Sequence, residues 1–449
     1  MPARYVTVDR DTPMLLPPSL QDWVPQDHLV HFVIDAVEQL DLSAARINQR
    51  GSGSEQYPPA TMLALLVYSY ATGTFASRRI EQSSFDNVAV RFLCADTHPD
   101  HDTICAFRRE NRTLLADAFA QILELAARSK QLQVGNITVA IDGTKILANA
   151  SRHSAVSYER AGEQLRQVEL EIEQLLAKAE AADSTPLQDG LTINDELARR
   201  HARKAALAKA RAEMEARAYA KAQAERAEKH PEQEGPPPPT PPDPKDQYNF
   251  TDPESRIMPA GGKGRFEQAY NAQAAVEIDS RLIVGQHVTQ DTNDKRQLVP
   301  TVAALAPVVA TCVKEVLVDT GYVNQEAITR LETDGHGQPT GLTVLAAVKR
   351  EHHGRTVAQL EARSDPSPPP EDAPFLQRLA HRTATQSGRA RYKQRQQTVE
   401  PAFGVVKACI GFRRFLLRGL AKVSLEWSLI CSAYNLKRLH ILKTIITPA

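Results

Sequence analysis

The sequence predicts an α/β core built on a mixed five-stranded sheet, preceded by an all-α segment and interrupted after its first strand by a helical hairpin. Three observations carry this expectation. Apolar residues recur at helical spacing between Pro58 and Leu125, the period turns to that of a strand at Gln133, and a charged, Ala-rich helical run separates that strand from the rest of the core. Composition agrees with a folded chain: 449 residues with 42% hydrophobic content can bury at least one full core. Five widely spaced cysteines (Cys94, Cys105, Cys312, Cys409, Cys431) include no C-x-x-C pair. Neither a disulfide framework nor a zinc site is therefore expected. MPARYVTVDRD lacks the apolar stretch of a signal peptide, and the apolar runs near Met62–Tyr70 and Val302–Val313 are too short to span a bilayer. The expectation is a soluble, cytoplasmic protein with no membrane partner.

Taken in order, LLPPSLQDWVPQDHLVHFV predicts a short docking segment and a helix. Pro59 suits a helix start, and Met62, Leu63, Leu65, Leu66 and Tyr70 form an apolar stripe. A turn at Gly73 leads to a helix opening at Ser77 and carrying Arg78 and Arg79. THPDHDTICAFRRENRTLLADAFAQILELAARSKQ predicts one long helix capped by Asp102 or Thr103. His98 and His101 have Asp100 and Asp102 around them, which favours a capping turn there over metal binding. Arginine pairs at helix starts suit docking to a DNA backbone, and solvated arginines on a bundle suit the same spacing.

VGNITVAIDGTKI alternates as a strand ending at Asp142–Gly143, where the acid is a turn former or a catalytic group at a sheet edge. Leu165, Val168, Ile172 and Leu175 then step at helical spacing, and a second helical run covers Asp195–Lys229. GPPPPTPPDP is a stiff linker back to the core. A hairpin turns at Asp279–Ser280, and Asp294 is read as the cap of a helix through Leu298, Val302 and Leu305, while Asp291 remains a competing acid. The continuous run Val316–Val318 reads as a buried parallel strand ending in Asp319, and the fifth strand is centred on Val344–Val348. Trp427 falls in an apolar helical run and reads as a core residue. These elements divide the chain into a helical N-terminal domain at 1–130, a core at 131–154 and 245–449, a hairpin or coiled-coil insertion at 155–234, and the linker at 235–244.

Charge singles out the C-terminal end. From Arg378 onward there are 14 Lys/Arg against 2 Asp/Glu on a chain of zero formal net charge, the footprint of a polyanion-binding surface. Glu400 stands within it, either as an ion-pair partner of Arg395 or as a metal ligand. Asp142 and Asp319 both fall at carboxyl ends of strands, where ligand sites of open α/β sheets lie. If their strands are neighbours the two converge, and a C-terminal helix can add Glu400. Oxygen ligands without His or Cys favour Mg²⁺ or Mn²⁺. Three carboxylates can hold two such ions about 3.5–4 Å apart for in-line phosphodiester displacement. Pro401 predicts a helix start or kink at Glu400. Lys407 is then expected on the same face two turns later.

VAIDGTKI, VLVDTGY and YKQRQQTVEPAFGVVK resemble the three catalytic blocks of DDE transposases from bacterial insertion sequences, whose core is RNase H-like. The last block resembles their Tyr-Arg-Glu-Lys signature on Tyr392, Arg395, Glu400 and Lys407, with four residues instead of three between Arg395 and Glu400. The stretch from PPATMLALLVYSYATGTFASRRIEQ to HPDHDTICAFRREN resembles the helical domain preceding that core, and RRFLLRG and AYNLKRL complete the likeness. The resemblance implies that Asp142, Asp319 and Glu400 are catalytic and ligate Mg²⁺ or Mn²⁺. It implies that Tyr392, Arg395 and Lys407 position DNA phosphates, with Arg413, Arg414, Arg418, Arg78 and Arg79 extending the DNA surface. The expected partners are double-stranded DNA, as element ends and target, and further copies of the chain in a synaptic complex. Two rivals share these residues: a nuclease that cuts without joining strands, and a non-catalytic DNA-binding or scaffold protein.

Overall fold

The computed structural model describes residues 19–47, 56–181, 193–229, 235, 238, 240–260, 264–348, 356, 364–370 and 372–446. The expected docking segment before residue 19, and parts of the linker and of the Pro-rich loop before residue 374, lie outside these residues. The N-terminal region is helical, with helices at Leu29–Glu38, Pro59–Ala71, Ser77–Asp86, Val88–Leu93, His101–Glu110 and Arg112–Arg128. Pro59 occupies the first turn of its helix, where its missing N–H has no partner to lose. Every residue from Met62 to Ala71 is buried, so that helix is internal on all sides.

The expected single helix after Pro99 is two. Asp100 is the cap, its carboxylate accepting from Thr103 N at 2.6 Å, in place of Asp102 or Thr103. Asn111 then breaks the run at ψ 40°, its side chain donating to Phe107 O at 3.1 Å and accepting from Arg46 N at 2.6 Å. His98 stacks on Phe85 and meets Ser84, while His101 meets Glu81 at 2.8 Å.

Strands β1 (Ile137–Leu147), β2 (Ala155–Ser157), β3 (Gln247–Asn249), β4 (Arg256–Pro259), β5 (Phe266–Glu277), β6 (Ile283–Thr289), β7 (Val313–Val318) and β8 (Thr343–Ala346) follow. The main sheet has six strands, one more than expected. Its order is β6-β5-β1-β7-β8, with short β4 lying beyond β6 on the same edge of β5. β1, β7 and β8 run parallel, and β5 is antiparallel to β1. β1 does not end at Asp142–Gly143. It continues to Leu147 because β5 offers antiparallel partners as far as Ala269.

Helices Tyr158–Ala181 and Ile193–Lys229 form a hairpin, closed at its base by the β2–β3 pair. Val168, Ile172, Leu207, Ala210 and Met214 give it a small core of its own with Val156 and Tyr248. Arg200–Glu171 at 2.6 Å and Lys204–Glu169 at 3.0 Å lace its two helices. Elsewhere a single core joins the N-terminal helices to the sheet. The C-terminal helix Leu420–Ile446 is its common wall, packing on helices Pro59–Ala71 and Arg112–Arg128 and on β6. Trp427, fully buried there, donates to Gln273 O at 3.1 Å.

Candidate active site

The register of β1 and β7 sets the two aspartates level. Ala140 pairs with Leu317, so Asp142 and Asp319 each stand two residues further along neighbouring parallel strands. Asp319 is held by an Asx turn, its carboxylate accepting from Gly321 N at 2.7 Å, and its side chain is 44% exposed. Asp142 accepts from Gly143 N at 2.8 Å and lies much deeper. Burial pushes its carboxyl up to about 6, outweighing the opposing pull of Arg395.

Helix Gln386–Gly404 crosses this edge of the sheet. Arg395, Thr398, Val399, Ala402 and Phe403 are buried at the spacing of one helical face. That face aims Arg395 at the acids: its Nη2 lies 2.8 Å from Asp142 Oδ2 and 3.9 Å from Asp319 Oδ2. The side chain is 8% exposed, and its buried Nε has no hydrogen-bond partner among the described residues. Arg395 thus pairs with Asp142, and the alternative pairing with Glu400 is not formed. Tyr392, one turn earlier, is half-buried, and burial raises its phenol.

Glu400 is not brought to the aspartates. It is exposed, one residue round from the buried face, and its side chain makes no hydrogen bond or ion pair among the described residues. The expected helix start at Pro401 is also absent. Packing of Val399, Ala402 and Phe403 carries the helix through the proline, and the backbone departs from α geometry only at the π turn Val405–Cys409. Lys407 falls in that turn and points elsewhere than Glu400, its Nζ donating to Lys145 O at 3.2 Å. Burial, then Arg413 and Lys145, lower its affinity for a proton.

A polar network beside the acids was not legible in advance. Asp294 does not cap the following helix, which is Leu298–Ala303 with Gln297 at its cap. Its Oδ1 accepts from Asn271 and Gln273 at 2.8 Å each and stands 3.5 Å from Lys145 Nζ. The Tyr322 hydroxyl donates to Gln273 Oε1, tying the turn after Asp319 to this group. Gly143 makes room for it. A β-carbon there would meet Gln273 Nε2 at 2.2 Å and Asp294 Oδ1 at 2.7 Å. The available signal was two polar residues, Asn271 and Gln273, at alternate positions of a strand rich in Ala.

Beyond the acids lies a basic loop. Phe415 N donates to Leu147 O at 2.8 Å and Leu147 N to Arg413 O at 3.1 Å, extending the edge of β1. Glu426 accepts from Leu416 N and Leu417 N at 3.0 Å each, Asp252 from Gly419 N at 3.2 Å, and Glu254 from Leu420 N at 2.9 Å. With the backbone donors satisfied by carboxylates, Arg413, Arg414 and Arg418 stay exposed. Arg78 and Arg79 are exposed on a helix of the N-terminal half.

Two carboxylates level on adjacent strands are hard oxygen donors that suit a divalent cation, and Arg395 is the positive group now between them. Among the described residues no group of three or more His, Cys, Asp or Glu is placed to hold a metal. The fit to a cation therefore rests on Asp142 and Asp319.

The fold and this edge define a mixed α/β protein with an acidic pair set in a basic surface. Two family matches specify it further. Residues 371–440 match the transposase DDE domain family, and residues 18–110 match a transposase domain family (DUF772). Together they support a DDE transposase. The first match includes Tyr392, Arg395, Glu400 and Lys407, whereas Asp142 and Asp319 lie outside both. No curated protein and no solved structure shows a significant match to the chain. No helix among the described residues is long and apolar enough to cross a membrane.

Proposed function

We propose that the chain is a transposase of a bacterial insertion sequence. It binds the terminal inverted repeats of its own element, hydrolyses a phosphodiester to free a 3′-hydroxyl, and directs that hydroxyl at target DNA. The observation that carries this reading is the level placement of Asp142 on β1 and Asp319 just past the end of β7, under a helix that belongs to the transposase DDE match. The strand order, with β5 antiparallel beside central β1, supports an RNase H-like core.

Asp142 and Asp319 would hold Mg²⁺ or Mn²⁺, with Glu400 as the third carboxylate once its helix adjusts around the π turn. The bound metal supplies charge neutralisation at the scissile phosphate and a more acidic attacking water or hydroxyl. The chain itself does the positioning. Arg395 and Tyr392 sit beside the acids to take a phosphate, Lys407 lies where β1 meets the π turn, and Arg413, Arg414 and Arg418 track the backbone further out. Arg78 and Arg79 extend the DNA surface from the helical half. Two DNA ends must be brought together for strand transfer, so the working form is a homo-oligomeric synaptic complex.

The exposure of Glu400 favours one rival, a DNA-binding or scaffold protein whose acids are structural. Labelled duplexes carrying the repeats that flank the reading frame separate these readings. Joined products lost in Asp142→Asn, Asp319→Asn and Glu400→Gln support the transposase. Cleavage without joining identifies a nuclease, and binding without either reaction identifies the scaffold.

A further inference from the structure

We propose that Arg395 occupies the cation position of the acid pair in the DNA-free protein and yields it to a divalent ion when DNA phosphate draws the guanidinium away. This rests on the metal-dependent reading above. Asp142 Oδ1 accepts from Gly143 N and Oδ2 is held by Arg395 at 2.8 Å, so both oxygens already face a donor. The same guanidinium nitrogen stands 3.9 Å from Asp319 Oδ2. A divalent ion held by the two acids would need the place that Arg395 now fills.

Charge and hydrogen bonding show why the arrangement is poised to change. One guanidinium against two carboxylates leaves a net charge of −1, which a divalent ion would cancel without the arginine. The neighbouring Lys145–Asp294 pair is itself neutral and adds nothing to the balance. Buried guanidinium donors normally find acceptors, yet Arg395 Nε has none among the described residues, although the side chain is only 8% exposed. A phosphate offers acceptors in the fork geometry that Arg395 lacks here. Asp319, 44% exposed, leaves the pair open to solvent on one side, so an ion can enter as the arginine leaves.

The test is Mn²⁺ binding to the full chain, followed by the electron paramagnetic resonance signal of free Mn²⁺. Without DNA, Arg395→Met, which keeps an unbranched apolar stem, is expected to bind Mn²⁺ at least about tenfold more tightly than the unmodified protein. Adding Asp142→Asn to that variant should remove the gain. Should Arg395→Met fail to fold, the unmodified chain gives an independent measure. A random-sequence duplex is expected to tighten its Mn²⁺ binding about tenfold, after subtraction of an Asp142→Asn/Asp319→Asn control with the same duplex. Unchanged affinity in both experiments, with binding still dependent on Asp142, overturns the Arg395 role and leaves the metal site standing. Absence of any Asp142-dependent Mn²⁺ binding overturns both.

Discussion

Gly143 lies directly opposite Gln273 in the β1–β5 register, and the amide of Gln273 fills the space a β-carbon at position 143 would need. Gln273 and Asn271 are fully buried and bonded to each other and to Asp294. They cannot yield without breaking those bonds. Gly143→Ala is expected to destabilise the fold by about 1–3 kcal/mol, as overpacking in a dense core does. Urea denaturation measures it, and a value near zero would mean that the network relaxes freely.

Gly73 and Gly411 share nearly the same backbone angle, with φ of +85° and +84°, but only Gly73 faces backbone. A β-carbon there would meet Ile410 O at 2.8 Å, whereas nothing lies within 4 Å at Gly411. Gly411→Ala should show only the left-handed strain of about 1–2 kcal/mol. Gly73→Ala should cost at least about 1 kcal/mol more, because a carbonyl cannot rotate away as a side chain can. Paired thermal melts decide between equal and unequal losses.

Glu426 is buried beneath the basic loop, and burial pushes its carboxyl up to about 7 from an ordinary 4.5. Between those values the folded protein keeps a proton that the unfolded chain releases, so stability falls as pH rises through the window and is level above it. The separation corresponds to about 3 kcal/mol. Glu426→Gln should remove this slope. Its unfolding free energy relative to the unmodified protein should therefore rise by about 2 kcal/mol between pH 5 and pH 8. Parallel profiles would contradict the assignment.

Arg413, Arg414 and Arg418 are predicted to touch phosphates rather than bases. Replacing all three with Ala should weaken element-end and random duplexes alike. The slope of log K against log salt should become shallower by about 0.9 for each phosphate no longer neutralised. Weakening confined to the element ends would instead indicate base reading.

How far the sequence could be read follows from the kind of signal involved. The run Val316–Val318 is apolar at successive positions, and so on both faces, which made a buried parallel strand ending at Asp319 legible. Its level placement with Asp142 followed once β1 and β7 proved to be neighbours. Local signals failed where tertiary packing outweighs them. Pro401 argued for a break at Glu400, yet the buried stripe from Arg395 to Phe403 keeps the helix continuous. Asp294 fits a capping pattern four residues before Leu298, and its actual partners, Asn271 and Gln273, are more than 20 positions away on β5. No periodicity encodes that meeting. Arg395 pairs with an acid 253 positions away, a choice that spacing within its own block could not reveal.

The antiparallel β2–β3 pair aligns Ser157 with Gln247, so the excursion between them leaves and re-enters the molecule at one rung. The hairpin is therefore a detachable module, free to lengthen, shrink or be exchanged while the neighbouring strands keep their register. Joining Ser157 to Gln247 through an Asn-Gly turn should leave the main sheet folded. Val156 and Tyr248, the facing pair that the arm now shelters, would be the side chains to redesign for water.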